Sequence, residues 1–319
     1  MTLTRSVRAN MIAKSSATAI WLVKMLAVDL GQSGTRIRMG DISISSTRGK
    51  LAGELPLAAL RAVFASTEKL SAEVVSLSCS GFFGIVSDPA PFLALCNGFF
   101  GADKVAVIDD GLAGFVGALQ GSNGVVLSIG GGVVSVGGRD GKFAHRDGLG
   151  STFGDEGGGF WLGKLGITKA LAARQGRCDE PSFLEFFAAQ LTSYDNLVIR
   201  DSSDAASLAI ASAQTLLDAA DSGVVTAVNI RNEGARLLAQ TVIATWRGAG
   251  GSSTDAPEIA IQGGPSGNSS YIRAIQGFIV ADLPNASFVN ARGDNLDGAL
   301  WIAENMLADA PPLLRWASL

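Results

Sequence analysis

Short apolar runs separated by turn residues alternate with longer amphipathic stretches along most of this 319-residue chain. Runs of about five or six apolar or alternating residues predict β-strands, whereas apolar residues spaced three or four apart predict helices. In the first part of the chain the pattern predicts strands at residues 25–30, 35–39, 42–46, 74–78 and 104–108, and helices at 56–70, 89–99 and 110–119. Strands that alternate with helices predict an α/β fold whose sheet is mixed or mostly parallel.

The same order of elements begins again near residue 124. Strands are predicted at residues 124–129, 133–137, 142–145 and 258–262, and helices at 159–174, 181–191, 204–220, 224–246, 269–276 and, as the last element, 296–307. Each half opens with a hairpin turned by glycines, which suggests a distant structural duplication. We therefore expect two domains, residues 25–116 and 117–319, with a helical insertion in the second and a last helix that packs back on the first.

Residues 1–24 superficially resemble a secretory signal, because basic residues precede a short apolar run at residues 17–23. Lys24 ends that run and the first predicted strand follows at once, which leaves no room for a cleavage site. We expect a disordered extension, or a misassigned start with Met25 as the natural first residue. No segment reaches the roughly 18 apolar residues of a membrane span, so we expect a cytoplasmic protein without a membrane partner.

Composition argues against several classes of function. The formal net charge is −4, so no surplus of Lys and Arg exists to neutralise nucleic-acid phosphates. The three cysteines, Cys79, Cys96 and Cys178, form no CxxC pair, which argues against a disulfide framework and a tetrahedral zinc site. The single histidine, His145, argues against most histidine metal sites and against a Ser-His-Asp triad.

Two glycine turns are candidates for binding phosphate. The first lies between Asp29 and Thr35, and the second is Gly130-Gly131-Gly132. Tight turns of small residues expose backbone N–H groups that can bind phosphate oxygens, and Asp29 could hold Mg²⁺ through water. Each turn alone could equally be an ordinary hairpin. Their recurrence in both halves favours a cleft that clamps a polyphosphate from two sides.

Asp109 and Asp110 follow a strand that is predicted to be buried, and they open a helix. A carboxylate at such a strand end can accept a proton from a substrate hydroxyl, which favours Asp110 as a general base. Asp110 could instead serve only as the N-cap of the helix, a frequent role of Asp.

Two further glycine-rich segments carry candidate binding groups. Residues 154–159 place Asp155 and Glu156 among glycines, which suits hydrogen bonds to sugar hydroxyls or an amine; a calcium loop is the alternative, although the spacing does not match an EF-hand. Residues 263–268 follow a predicted strand and would let a flat base lie against the backbone, unless they form a plain strand-to-helix turn. The chain has neither a P-loop nor a GxGxxG after a strand.

Together these segments resemble the BadF/BadG/BcrA/BcrD ATPase family, and within it the N-acetylglucosamine kinase and glucosamine kinase branch, over residues 25–307. The most specific match is residues 154–163, GDEGGGFWLG, which are similar to the family's GDEGSGxWxG. Gly298-Ala299-Leu300 also matches the family's closing GAxxLA helix. The resemblance implies an α/β fold with two ribonuclease-H-like domains of the actin-like ATPase superfamily around an interdomain cleft. It also implies ATP and Mg²⁺, a small-molecule sugar substrate and a homodimer.

The resemblance assigns roles to single residues as well. Asp110 would be the general base, and Asp29 would help to organise Mg²⁺. The nucleotide-binding residues would be Ser33, Gly34, Thr35, Gly130, Gly131, Gly132, Gly263, Gly264 and Ser266. The sugar-binding residues would be Gly81, Asp109, Asp155 and Glu156.

The chain departs from the family pattern at three points. Gly131 and Val133 replace the two hydroxyl residues of the family's GTGS turn, Leu149 replaces the Trp of its GWG segment, and DLGQSGT replaces DGGGTKT. We expect a kinase that phosphorylates an amino sugar or related hexose, with glucosamine or N-acetylglucosamine favoured, on the C6 hydroxyl. One alternative is a non-catalytic sugar sensor. A second is an ATPase that activates an iron–sulfur dehydratase, a role that needs cysteines bridging a cluster.

Overall fold

The structure is a computed structural model that describes residues 24–51, 53–197 and 203–319. The strands in chain order are β1 (Met25–Leu30), β2 (Thr35–Met39), β3 (Ile42–Ser46), β4 (Val74–Cys79), β5 (Lys104–Asp109), β6 (Gly124–Ile129), β7 (Val133–Arg139), β8 (Lys142–Asp147), β9 (Glu258–Gln262), β10 (Ser287–Phe288) and β11 (Leu314–Ser318). The helices are α1 (Pro56–Ala65), α2 (Ala90–Phe100), α3 (Asp110–Leu119), α4 (Gly159–Arg174), α5 (Pro181–Phe186), α6 (Ala188–Asp195), α7 (Ser203–Asp221), α8 (Val225–Gly248), α9 (Ser269–Asp282) and α10 (Asn295–Asn305).

The first sheet has the strand order β11-β5-β4-β1-β2-β3. β1 is antiparallel to β2 but parallel to β4, and β4 is parallel to β5, so the C-terminal ends of β1, β4 and β5 lie at one edge. These three strands are almost entirely buried, as expected for strands that are covered on both faces. The register places Asp29 beside Ser78 and Cys79 beside Asp109 at that edge.

The second sheet repeats this arrangement in the order β10-β9-β6-β7-β8. β6 is antiparallel to β7 and parallel to β9, as β1 is to β2 and β4. Ser128 of β6 lies beside Gln262 of β9, in the positions that Asp29 and Ser78 occupy in the first sheet. The predicted duplication is therefore confirmed by the pairing of the strands.

Helices α3 and α10 form the layer between the two sheets. They pack on each other, α10 also packs on β1 and β4, and α3 contacts β6 and β7. Gly298 makes this crossing close, because a Cβ there would lie 1.8 Å from the carbonyl oxygen of Ala113. The proposed domain boundary between residues 116 and 117 falls inside α3, which contacts both sheets.

The helices α4 to α8 lie between β8 and β9 in the chain and cover the second sheet. α8 packs on β6, β7 and β8, and α4 packs on α7. Fully buried large side chains of this part, Phe183, Phe187 and Trp246 among them, belong to one core cluster with β6 and β9. The helical segment therefore rests on the second sheet mainly through α8.

Some elements differ from the prediction. α1 ends at Ala65 instead of residue 70, because the hydroxyls of Ser66 and Thr67 both donate to the carbonyl of Val63 and compete with helical hydrogen bonds. The predicted helix at 181–191 is broken at Phe187, whose buried ring stacks on that of Phe183 with centroids 4.9 Å apart.

The prediction that a helix is the last element is wrong. β11 follows α10 and pairs antiparallel with β5 at the edge of the first sheet. This strand has only five residues, and its place depends on its partner strand β5, which a local pattern does not contain.

The proposed N-terminal extension lies, apart from residue 24, outside the described residues. Within the ranges that the structure describes, no helix combines the length and the hydropathy needed to cross a bilayer.

Candidate active site

Asp29 lies near the end of β1 and is almost completely buried. Its Oδ2 accepts a hydrogen bond from Arg36 Nη2 at 2.7 Å, and its Oδ1 accepts one from the hydroxyl of Ser78 at 3.1 Å. Burial raises the pKa of the Asp29 carboxyl above its ordinary value, although the hydrogen bonds from Arg36 and Ser78 act in the opposite direction. The carboxylate is therefore fixed in orientation from two sides.

Asp110 is the first residue of α3 and lies at the same edge of the sheet. Its Oδ2 accepts a hydrogen bond of 2.5 Å from the hydroxyl of Ser80, which directly follows β4. Burial raises the pKa of the Asp110 carboxyl, while the Ser80 hydroxyl lowers it and the neighbouring charge of Asp109 raises it further. A held carboxylate with a raised pKa has the properties of a general base.

Asp109, the last residue of β5, has a different environment. Its Oδ1 accepts a hydrogen bond from the Gly111 N–H at 3.0 Å, which makes Asp109 the N-cap of α3, and its Oδ2 accepts one from the Gly84 N–H at 2.9 Å. His145 Nε2 lies 3.9 Å from Asp109 Oδ1. The helix cap is thus Asp109 and not Asp110. Backbone N–H groups already donate to both of its carboxylate oxygens, so a sugar hydroxyl would have to share them. The predicted contact of Asp109 with sugar stays a prediction.

A cavity of about 170 Å³ joins the two halves at Asp110. Its lining includes Asp110 and Gly111 of α3, Ser128 and Val134 of the second sheet, and Asn295 of α10. Ser128 accepts a hydrogen bond of 3.0 Å from Gln262, which repeats the Asp29–Ser78 pair of the first sheet. Ser128 is two residues before Gly130, so the candidate base and the strand that leads into the second glycine turn share one crevice.

The first glycine turn presents free backbone donors to the solvent. Gln32 and Ser33 are exposed, and in the part of the chain that the structure describes their N–H groups donate to no protein acceptor. The side chain of Thr35, in contrast, is buried, and its hydroxyl donates to the carbonyl of Arg48 at 2.7 Å. The turn can bind an anion through its backbone, whereas the predicted phosphate contact of Thr35 would require its hydroxyl to leave that bond.

The second glycine turn is held from below by the start of α4. The Gly130 carbonyl accepts from the Gly159 N–H at 2.8 Å and the Gly131 carbonyl accepts from the Phe160 N–H at 2.9 Å. With both carbonyls engaged, the N–H groups of Gly131 and Gly132 remain without a protein acceptor among the described residues. Two free donors in a fixed turn are what an anion site requires.

The acidic loop lies against this second turn. Asp155 is buried, and its Oδ1 accepts a hydrogen bond from the Val133 N–H at 3.0 Å. Burial raises the pKa of its carboxyl, the Val133 N–H lowers it, and the charge of Asp147 raises it. Glu156 is exposed on the side of Arg236. The structure thus places Asp155 as a brace of the turn, and the sugar-binding roles of both acids remain predictions.

Gly264 and Pro265 border a second cavity, of about 370 Å³, beside the second glycine turn. Gly130 and Gly131 line it on one side, and Ile210 and Gln214 of α7 line it on the other. Gly263 has φ +106°, and a Cβ there would lie 2.1 Å from the carbonyl oxygen of Ile129, so only glycine brings these two turns together. Ser266 donates its hydroxyl to the Gly263 carbonyl and closes the turn.

Several residues that position Asp29 and Asp110 escaped the sequence analysis. Ser78 and Ser80 orient Asp29 and Asp110, Arg36 pairs with Asp29, and Asn295 donates to the Asp110 carbonyl at 3.2 Å. The two serines carried a usable signal, since they lie at the C-terminal end of a buried strand beside the one that carries Asp29. Asn295 carried none, because α10 reaches the crevice from more than 180 residues further along the chain.

Solved structures with a similar architecture include several sugar kinases. A presumed N-acetylglucosamine kinase from Chromobacterium violaceum superposes with a TM-score of 0.62 at 18% identity, covering 90% of this chain and 99% of that one. A ROK family glucokinase from Streptomyces griseus, in complex with glucose and AMPPNP, gives 0.52 at 16% identity, covering 88% and 98%. A ROK hexokinase from Thermus thermophilus superposes with a TM-score of 0.52 at 16% identity, covering 86% of this chain and 96% of that one.

The fold is that of the actin-like ATPases. The predicted fold class, with two ribonuclease-H-like halves around a cleft, is confirmed by these superpositions and by the repeated strand order. Neither the protein-family models nor the curated proteins give a match to the chain. Membership of the BadF/BadG/BcrA/BcrD family therefore stays a prediction.

Proposed function

We propose that the protein is an ATP-dependent kinase that phosphorylates the C6 hydroxyl of an amino sugar or a related hexose. The observation that carries the proposal is the crevice at Asp110. There, a held carboxylate with a raised pKa shares a cavity with the strand that leads into a glycine turn with free N–H groups. Phosphoryl transfer is catalysed mostly by positioning and electrostatics, and these are the elements that it needs.

The second cavity fits a nucleotide. Its volume of about 370 Å³ lies within the range of small-ligand sites, and a Cβ on Gly264 would meet nothing within 4 Å, so the turn leaves room for a flat base. The Gly131 and Gly132 N–H groups would bind phosphate oxygens from one half, and those of Gln32 and Ser33 from the other. This arrangement supports the predicted clamp around a polyphosphate.

Mg²⁺ would enter with the nucleotide and neutralise phosphate charge. The described residues contain no cluster of three or more His, Cys, Asp and Glu that could hold a metal. Mg²⁺ bound with ATP does not need such a cluster, because it takes one or two carboxylates together with phosphate oxygens and waters. Asp29, held by Arg36 and Ser78, would be the carboxylate and would act through water.

The reaction needs one base. Asp110 accepts the proton of the sugar hydroxyl while that oxygen forms a bond to the γ-phosphorus, the bond from this phosphorus to the β–γ bridging oxygen breaks, and ADP leaves. The proton passes from Asp110 to water afterwards. The fixed N–H groups of the two turns stabilise charge on the phosphoryl oxygens during the transfer, and they do so without reorganisation.

Glucosamine is the favoured acceptor, because Asp155 and Glu156, which would line the sugar site in this proposal, suit a protonated 2-amino group. A cytoplasmic location and a homodimer are part of the same proposal. The test is a coupled ADP-release assay with glucosamine, N-acetylglucosamine, glucose and N-acetylmannosamine, with the phosphorylated carbon identified by ³¹P NMR. Sugar-dependent ADP release with a C6 phosphate is the expected result. Calorimetry that detects sugar binding without nucleotide binding would instead favour the non-catalytic sensor.

The iron–sulfur activator finds no support in Cys79 and Cys96. Cys79 and Cys96 are fully buried in the first core, and burial raises the pKa of the Cys96 thiol to about 12. Cluster ligands must be thiolates, and a subunit-bridging cluster needs them at a surface.

A further inference from the structure

The loop after β3 is packed tightly onto the first glycine turn. The Lys50 N–H donates to the Gly31 carbonyl at 2.9 Å, and the Arg48 carbonyl accepts the Thr35 hydroxyl. A Cβ on Gly49 would lie 2.4 Å from the Gln32 carbonyl oxygen and 2.6 Å from the Gly34 nitrogen. The backbone of Lys50 is therefore fixed against the turn that would bind phosphate.

From this anchor the side chain of Lys50 extends over the start of the β4–α2 loop. A Cβ on Gly81 would lie 2.3 Å from Lys50 Cε and 3.0 Å from its Nζ. Gly81 directly follows Ser80, whose hydroxyl is bonded to Asp110. The ammonium group thus lies between the first glycine turn and the loop that orients the proposed base.

Three basic side chains lie around the first glycine turn: Arg36, Arg48 and Lys50. Among the described residues, Lys50 is the one of these three that forms no ion pair with a carboxylate. Arg36 is bound by Asp29 and Asp294, and Arg48 is bound by Glu54. The only hydrogen bond of Lys50 Nζ among those residues is a 3.4 Å contact with the carbonyl of Leu51. The Glu54 carboxylate accepts its hydrogen bonds from Arg48 and the Leu51 N–H, which lower its pKa, and the charge of Lys50 lowers that pKa further.

We propose that Lys50 is a further catalytic residue, whose ammonium group contacts the γ-phosphoryl group during its transfer to the acceptor. The inference rests on the proposed kinase function. It also accounts for a departure of this chain: where Gly131 and Val133 leave the second turn without hydroxyl donors, a lysine from the opposite half supplies positive charge to the same phosphoryl oxygens. A fixed donor aimed at developing charge is worth roughly 10²- to 10³-fold in rate.

The test compares Lys50→Met with Lys50→Arg and with Lys69→Met, which removes an exposed lysine of the same half. Dissociation constants for ADP, AMPPNP and the sugar are measured by calorimetry, and kcat and KM by ADP release. We expect Lys50→Met to lower kcat by about 10²-fold or more and to weaken AMPPNP binding about tenfold. The affinities for ADP and for the sugar, and the midpoint of thermal unfolding, should equal those of Lys69→Met. Lys50→Arg should recover part of both losses.

Three results would overturn the inference: kinetics of Lys50→Met equal to those of Lys69→Met, equal weakening of ADP and AMPPNP, or weakened sugar binding with intact nucleotide binding. The binding data also separate this inference from the function. Suppose that the wild type releases no ADP with any sugar and still binds AMPPNP more tightly than ADP. If Lys50→Met abolishes that preference, then the kinase proposal fails and the γ-phosphate contact stands.

Discussion

Asp109 and Asp110 show at the scale of single residues how environment separates two identical side chains. Asp109 is fully buried and its oxygens are used by the Gly111 and Gly84 N–H groups, whereas Asp110 is bonded by a hydroxyl and borders a cavity. The sequence could predict that one of the pair acts at a cleft edge. It could not show which one caps the helix, because Gly84 approaches from a loop 25 residues away.

The raised pKa of Asp110 predicts an acid limb in the rate profile. The base must be ionised, so kcat/KM falls as the pH drops through the pKa of Asp110, and burial places this fall at a higher pH than for an ordinary Asp. Ser80→Ala removes a donor that lowers this pKa, so the acid limb should move to still higher pH. The measurement is kcat/KM against pH, with Ser66→Ala, on the remote end of α1, as the control. An unmoved limb in Ser80→Ala would mean that another group titrates.

At the scale of elements, the sequence predicted both glycine turns and the strands that flank them. It missed what holds the turns in place. The brace of the second turn is the N-terminus of α4 together with Asp155, and the cover of the first is the Arg48–Lys50 loop, so each depends on a contact distant in sequence. The sequence analysis missed strand β11 for the same reason, because this strand is defined by its pairing with β5.

The cavity between the second turn and α7 gives a prediction at this scale. Gly264 lines it and has no neighbour within 4 Å of a Cβ, so Gly264→Phe should fill the cavity without disturbing the fold. We expect AMPPNP affinity to fall at least about tenfold, because 1.4 kcal/mol of lost contact already has that effect. Sugar affinity should not change. Gly277→Phe, which is equally unobstructed but exposed on α9, is the matched control. The measurement is calorimetric titration of both variants with AMPPNP and with the sugar. Unchanged AMPPNP affinity in Gly264→Phe would show that the nucleotide does not bind in this cavity.

For the whole molecule, two ion pairs attach the first sheet to the start of α10. Arg36 bonds Asp294, and Arg38 bonds Asp297 at 2.6 Å. Asp294 is also the N-cap of α10 and forms a capping box with Asp297. Because Arg36 holds Asp29 as well, one network connects the candidate metal ligand to the helix between the two sheets.

Asp294→Ala tests that connection. It removes a helix cap worth about 1 kcal/mol and one partner of Arg36, so the midpoint of thermal unfolding should fall clearly below that of the wild type. Asp282→Ala breaks an exposed ion pair with Arg247 and serves as the control, with an expected loss within about 0.5 kcal/mol. Equal midpoints for both variants would show that the network adds nothing to stability.

Asp110→Asn, assayed for turnover and for ligand binding on the same samples, tests the central claim most directly. The amide keeps the shape of the side chain and cannot accept the proton of the sugar hydroxyl. We predict that kcat falls by about 10²- to 10⁴-fold while the dissociation constants for the sugar and for AMPPNP stay near those of the wild type. Undiminished turnover in Asp110→Asn would contradict the assignment of the base and, with it, the proposed chemistry of the crevice.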